Sequence, residues 1–229
     1  MDFKESDMYA PIKAFFEGLG YEVKGEVRGM DAALLKDGIL SAVEMKKSFN
    51  MSLIYQALRR QGAASAVFVA IPRAVFMRKR GPILHICERL NLGLITVAMD
   101  SPMRLVEAHI LPNMPKGRNT KASRAVLAEF NGRNFGDNIG GTGGVKLITA
   151  HKERSLQIAC ALERAQNAAP AALVRDFVCH ESAGQILRIN TYGWFEKVDR
   201  GIYALSEAGR DALKNPAFAH IVDFYKSQK

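Results

Sequence analysis

The chain has 229 residues, 48% of them hydrophobic and 24% charged, with a net charge of +9. That balance excludes a disordered or collagen-like chain, and no apolar run approaches the roughly 18 residues of a membrane helix. The basic surplus favours a polyanionic partner; it is +3 over residues 1–115, +4 over 116–150 and +2 over 151–229.

The length suits one large or two small domains. Cys87, Cys160 and Cys179 are far apart and odd in number. They form neither a disulfide framework nor a zinc spacing, and read as reduced thiols of a cytoplasmic protein. Residues 1–7 are acidic and polar, unlike a signal peptide.

Residues 5–18 predict an amphipathic helix with Met8, Ile12, Phe15, Phe16 and Leu19 as its apolar stripe. Ser6 or Asp7 caps it, and Gly18 or Gly20 ends it. Residues 21–28 alternate and predict a first strand.

The next stretch carries the chemistry. Two apolar runs flank Asp37-Gly38, the dipeptide of a two-residue hairpin turn. With that turn, Lys36 pairs with Ile39, Leu35 with Leu40, and Asp31 faces Glu44. Opposed residues share a face, and Lys46, two beyond Glu44, joins them. Two facing carboxylates repel unless a cation lies between them. Mg²⁺ takes oxygen ligands, with one or two protein carboxylates sufficing. The pattern thus reads as a small metal site with an ammonium beside it. The alternative is a solvated polar face with an Asp–Lys or Glu–Lys pair, against which Leu34, Leu35, Ile39, Leu40 and Val43 predict a mostly buried sheet.

Residues 50–62 predict a second helix. Residues 66–71 are a continuous apolar run, as in a buried strand, stopped by Pro72. A helix over 81–91 and a strand over 94–98 follow. Arg78-Lys79-Arg80 reads as a solvated patch. Residues 116–150 form a basic, Gly/Asn-rich linker broken by a short helix over 123–131; no Gly-Lys-Ser/Thr closes a Walker A loop. A flexible or strand-lying connector is one reading of it; a lobe that folds onto the cleft is the other.

Residues 151–229 form a second domain. Helices over 152–164, 170–178 and 181–190 precede strands over 194–198 and 202–206. This is the pattern of a winged helix-turn-helix. Gln185 and Arg188 fall on the recognition-like helix, and Lys197 and Arg200 on the wing. Such units also mediate protein contacts.

The order helix, three strands, helix, strand, with Asp31 and then Glu44-Met45-Lys46 on the next strand, resembles the PD-(D/E)XK nuclease-like core. Met30 stands where the motif has Pro. The resemblance implies an α/β restriction-endonuclease-like mixed sheet flanked by helices over residues 1–115. It also implies that Glu5, on the first helix, joins the site, although Glu5 equally suits the helix dipole. Gln56, on the helix after the Glu-x-Lys strand, would orient substrate or a water ligand. Arg59 and Arg60 either meet phosphate or form an ordinary polar helix face. Residues 8–13, 20–27, 43–46 and 190–196 further resemble a family of bacterial proteins classed as PD-(D/E)XK phosphodiesterases, over nearly the whole chain.

The expected protein is a Mg²⁺- or Mn²⁺-dependent phosphodiesterase acting on nucleic acid, DNA foremost. Asp31, Glu44 and a main-chain carbonyl near Met45 hold the ion, Lys46 orients water or stabilises charge, and Glu5 and Gln56 assist. The rival expectation is a catalytically idle scaffold that binds DNA or protein through its winged helix.

Overall fold

The computed structural model describes residues 3–113, 120–136, 138–142, 147–166 and 168–228. The chain divides into two compact units, Met1–Leu147 and Ile148–Lys229.

The first unit begins with a 3₁₀ turn, Glu5–Met8, followed by α1 (Tyr9–Gly18). The single helix expected over 5–18 is therefore split. The Lys4 N–H donates to the Asp7 carboxylate at 2.9 Å and secures the turn. Met8, Ile12 and Phe16 are buried, whereas Leu19, beyond the helix, is 50% exposed.

Then come β1 (Glu22–Val27), β2 (Met30–Lys36), β3 (Ile39–Met45), α2 (Met51–Arg60), β4 (Ala66–Pro72), α3 (Arg73–Arg78), α4 (Arg80–Arg89), β5 (Gly93–Val97), β6 (Val106–Ile110) and α5 (Lys121–Asn131). The six strands form one mixed sheet in sequence order. β3, β4 and β5 run parallel; the other neighbours are antiparallel. α2 is capped by Asn50, whose side chain accepts the Leu53 N–H at 3.0 Å, a bond worth about 1 kcal/mol. β4 is buried along its whole length, as its apolar run predicts.

Two tight turns set the register. Asp37 (φ 51°) and Gly38 (φ 72°) are both left-handed, as a type I′ turn requires. Arg28 (φ 53°) and Gly29 (φ 79°) repeat that geometry between β1 and β2. Lys36 pairs with Ile39 and Leu35 with Leu40, as expected. Alternation then divides the sheet. Ala33, Leu40 and Ala42 pack with Leu53, Ile54 and Ala57 of α2. Ala32, Leu34, Val43 and Met45 pack with Met8, Ile12 and Phe16 on the other face.

Over its described part up to residue 142, the segment 116–150 packs against the rest of the first unit. Val126 and Phe130 of α5 lie in the first unit's core. The Lys24 ammonium donates to the carbonyls of Phe130 and Arg133 at 2.9 and 2.8 Å. Arg133 is 2% exposed and donates to the Gly25 carbonyl. Residues 138–142 lie against β1 and β2, where Gly25 meets Asn138 and Gly140 meets Asp31. The glycines here permit backbone to touch backbone. The expected boundary at 115/116 and residues 137 and 143–146 lie outside the described residues.

The second unit contains α6 (Ala150–Arg164), β7 (Ala168–Pro170), α7 (Ala171–Val178), α8 (Ala183–Ile189), β8 (Phe195–Asp199), β9 (Ile202–Leu205), α9 (Glu207–Lys214) and α10 (Ala219–Ser227). Its three strands form a sheet in the order β7-β9-β8. Asn190, left-handed at φ 49°, closes α8 and pins the start of β8: its side chain donates to the Phe195 carbonyl at 2.7 Å and accepts the Phe195 N–H at 3.1 Å. Among the described residues, no helix is long and apolar enough to cross a membrane.

Candidate active site

The hairpin brings its acids together. Ala32 pairs with Val43, so the next opposed positions are Asp31 and Glu44. One Asp31 oxygen, Oδ2, accepts the Met45 N–H at 2.7 Å, which locks the carboxylate against the neighbouring strand. Both acids lie on the sheet face that α2 covers. Glu44 is 1% exposed. Burial, and then the Asp31 charge, push its carboxyl up to about 7, against the pull of Arg60. Burial also raises Asp31, with the Met45 N–H and the Lys46 ammonium opposing the shift.

Lys46 follows the end of β3. Its ammonium lies 2.9 Å from Oε2 of Glu5, and Oε1 of Glu5 accepts the Lys47 N–H at 3.4 Å. Burial alone would lower the Lys46 value. The Glu5 hydrogen bond and charge, with Asp31 and Glu44, outweigh it, so Lys46 is held above its ordinary value. It is therefore a cation at neutral pH, suited to stabilising negative charge rather than to taking a proton.

Arg60 is not on a free polar face. Its Nε donates to Oε1 of Glu44 at 2.5 Å, and its guanidinium also donates to the Gly29 carbonyl. In this arrangement Arg60 is the counter-ion of Glu44. Arg59 points away and lies over the Tyr55 ring at 5.8 Å; Arg59 and Tyr55 are both exposed. Gln56 stands one turn ahead of Arg60 on α2, and its Oε1 is buried with no hydrogen-bond partner.

These groups fit a hard divalent cation. The available donors are oxygens: among the described residues, Oδ1 of Asp31 and Oε2 of Glu44 accept no hydrogen bond, and Oε1 of Gln56 is orphaned. No group of three His, Cys, Asp or Glu side chains among the described residues is placed to hold a metal alone. Two carboxylates are what a Mg²⁺ site commonly uses.

Sequence reasoning missed Glu26. It lies on β1, and its Oε1 accepts the N–H groups of Gly141 and Thr142 at 2.9 and 3.2 Å. Burial raises it, followed by the Asp31 charge. Its only sequence signal is Gly29: Arg28-Gly29 forms a two-residue turn that pairs Val27 with Met30 and brings Glu26 next to Asp31 on the adjoining strand.

The remaining expected residues lie in the second unit. Gln185 and Arg188 are exposed on α8; Lys197 on β8 and Arg200 in the following turn are exposed too.

A family model described as "Putative PD-(D/E)XK phosphodiesterase" (DUF2161) matches residues 95–212, just over half of the chain. The chain belongs to this family. The match runs from β5 to α9, so Asp31, Glu44 and Lys46 lie upstream of it. Membership in a PD-(D/E)XK family accords with the six-stranded mixed sheet flanked by helices. No curated protein and no solved structure matches the chain.

Proposed function

We propose that the protein is a divalent-metal-dependent hydrolase of nucleic-acid phosphodiester bonds. The observation that supports this reading is the β2–β3 register, Ala32 against Val43, with the Asp31 carboxylate held by the Met45 N–H and with Glu44 and Lys46 within its electrostatic reach. Asp31, Glu44 and the main-chain carbonyl near Met45 would hold Mg²⁺ or Mn²⁺. The ion supplies Lewis acidity to a phosphoryl oxygen and acidifies water. The Met45 N–H fixes the Asp31 carboxylate, so little reorganisation is needed when ligands arrive. Lys46 places positive charge where the phosphoryl group becomes more negative, and Glu5 restrains its ammonium. Gln56 offers its unpaired oxygen to a water or substrate hydrogen.

The second unit would bind the polyanion. Helix, strand, two helices and two strands, with β9 between β7 and β8, suit a winged helix. Gln185 and Arg188 present from α8, and Lys197 and Arg200 from the β8–β9 hairpin.

The test is a panel of single-stranded, double-stranded and branched DNA and RNA with Mg²⁺ or Mn²⁺. Asp31→Asn and Glu44→Gln should abolish cleavage while circular dichroism is unchanged. Wild-type cleavage rates in both would refute the assignment. A second reading rests on the Arg60–Glu44 pair, which already neutralises one acid. There the core is an idle scaffold and the second unit a DNA-binding or protein-interaction module. Tight DNA binding without cleavage in Mn²⁺, weakened by Arg188→Ala, would favour it.

A further inference from the structure

Two turns, rather than one, align acids across this sheet. Glu26 lies between the paired positions Gly25↔Ala32 and Val27↔Met30, which puts Asp31 across from it. Asp31 in turn faces Glu44. Glu26, Asp31 and Glu44 thus lie on three adjacent strands near the same end of the sheet, close enough for each charge to be felt by another. The Glu26 charge is felt at Glu44, where it opposes ionisation.

Three features set Glu26 apart from a chance surface acid. Its backbone is left-handed at φ 51°, which costs a non-glycine residue energy. Both amides from residues 141 and 142 converge on one oxygen, Oε1, and among the described residues no hydrogen bond reaches Oε2. A glutamine could accept the same two amides without the repulsion that a third carboxylate brings. An independent sign of a ligand comes from α2, where the buried Gln56 oxygen has no partner; such an orphan is costly unless something completes it.

We propose that Glu26 is a positioning residue of the Asp31–Glu44 centre. The amides of Gly141 and Thr142 clamp it, and its charge tightens the hold of the two acids on a divalent cation. This inference rests on the metal-dependent reading above. Glu26 acts through its field and not as a direct ligand, since the amides of Gly141 and Thr142 hold its carboxylate. A negative charge one strand away attracts a divalent ion twice as strongly as it repels a single carboxylate at the same distance. In the cation-free protein the same charge is a source of repulsion.

The experiment uses the full chain, stripped with a chelator and titrated with Mn²⁺ at pH 8. Calorimetry and the thermal midpoint are the readouts. Glu26→Gln keeps an acceptor for both amides and removes the charge. The expected result is an Mn²⁺ dissociation constant raised about tenfold or more, together with a cation-free Tm that rises by a few degrees. An unchanged dissociation constant in Glu26→Gln, when the wild type binds, overturns the role of Glu26 and leaves the metal reading standing. A folded wild type that binds no Mn²⁺ overturns the metal reading and this inference with it. A lowered cation-free Tm with unchanged Mn²⁺ binding assigns Glu26 to the clamp alone and also overturns the proposal.

Discussion

Arg60 on α2 donates its Nε–H to Oε1 of Glu44 on β3 at 2.5 Å, and Glu44 is 1% exposed. The guanidinium also reaches the Gly29 carbonyl, so one side chain ties α2 to β3 and to the β1–β2 turn. Removing it leaves a carboxylate without its counter-ion in a buried place, which typically costs about 3–5 kcal/mol. Arg60→Ala should therefore lower unfolding stability by about 3 kcal/mol at pH 8, measured with urea and no metal. At pH 5.5 Glu44 holds its proton and the loss should shrink. The double variant Arg60→Ala, Glu44→Gln should recover most of it. Equal losses at both pH values would mean that Arg60 acts through packing instead.

The cation-free protein should lose stability as pH rises through the range of the clustered acids. Glu44 sits at about 7 when folded, against 4.5 ordinarily, because of burial and then Asp31. Its folded value is raised. Between those two values the folded chain keeps a proton that the unfolded chain has released, and stability falls with rising pH. The contribution is fully present below pH 4.5 and is gone above about 7; it amounts to about 3 kcal/mol. Asp31 and Glu26 are shifted in the same direction. Millimolar Mn²⁺ should flatten the slope by binding the ionised folded form. Urea midpoints from pH 4 to 8.5, with and without Mn²⁺, are the check; a stability that climbs over pH 5–7 without metal would contradict it.

Gly140 should tolerate no side chain. A Cβ there would collide with the Asp31 carbonyl and approach Tyr9 Cδ2 at 2.7 Å. Overpacking of this kind costs about 1–3 kcal/mol. Because the neighbour is Asp31 itself, Gly140→Ala should also slow hydrolysis. At Gly136, in the same segment, an added Cβ would come no closer than 3.9 Å to any neighbouring atom, so Gly136→Ala should shift stability by less than about 0.5 kcal/mol. Denaturation midpoints and cleavage rates for the pair separate the two sites; equal behaviour would deny the contact its importance.

Local chemistry made the hairpin readable and long-range pairing did not. Asp37-Gly38 needs two positive φ angles, which few residues supply, so turn and register follow from the dipeptide itself. The equivalent turn at Arg28-Gly29 hides behind an arginine, a residue with no preference for that region, and Glu26 was passed over with it. β6 (Val-Glu-Ala-His-Ile) is a partly exposed edge strand of only five residues; it alternates apolar and polar but lacks the continuous apolar run that marks β4. Gly25 and Gly140 look like flexibility in the sequence but serve close backbone approach in the fold. Arg60 could not be assigned, because nothing on a helix face reveals a partner on a strand sixteen positions earlier.

The second unit gives the last prediction. Gln185 and Arg188 are three residues apart and both exposed on α8, so they share a helix face. Arg188 is the only cation of the pair, and a phosphate contact through it would release counterions on binding. Arg188→Ala should weaken nucleic-acid binding roughly uniformly across sequences and reduce the slope of log affinity against log salt by about 1. Gln185→Ala, if that side chain reads a base edge, should leave the salt slope alone and cost about 1–3 kcal/mol for preferred sequences only. Fluorescence anisotropy between 50 and 300 mM salt, roughly the range over which such slopes are resolved, distinguishes the two. Unchanged affinity and slope in both variants would remove α8 from the nucleic-acid interface and leave the unit to bind protein.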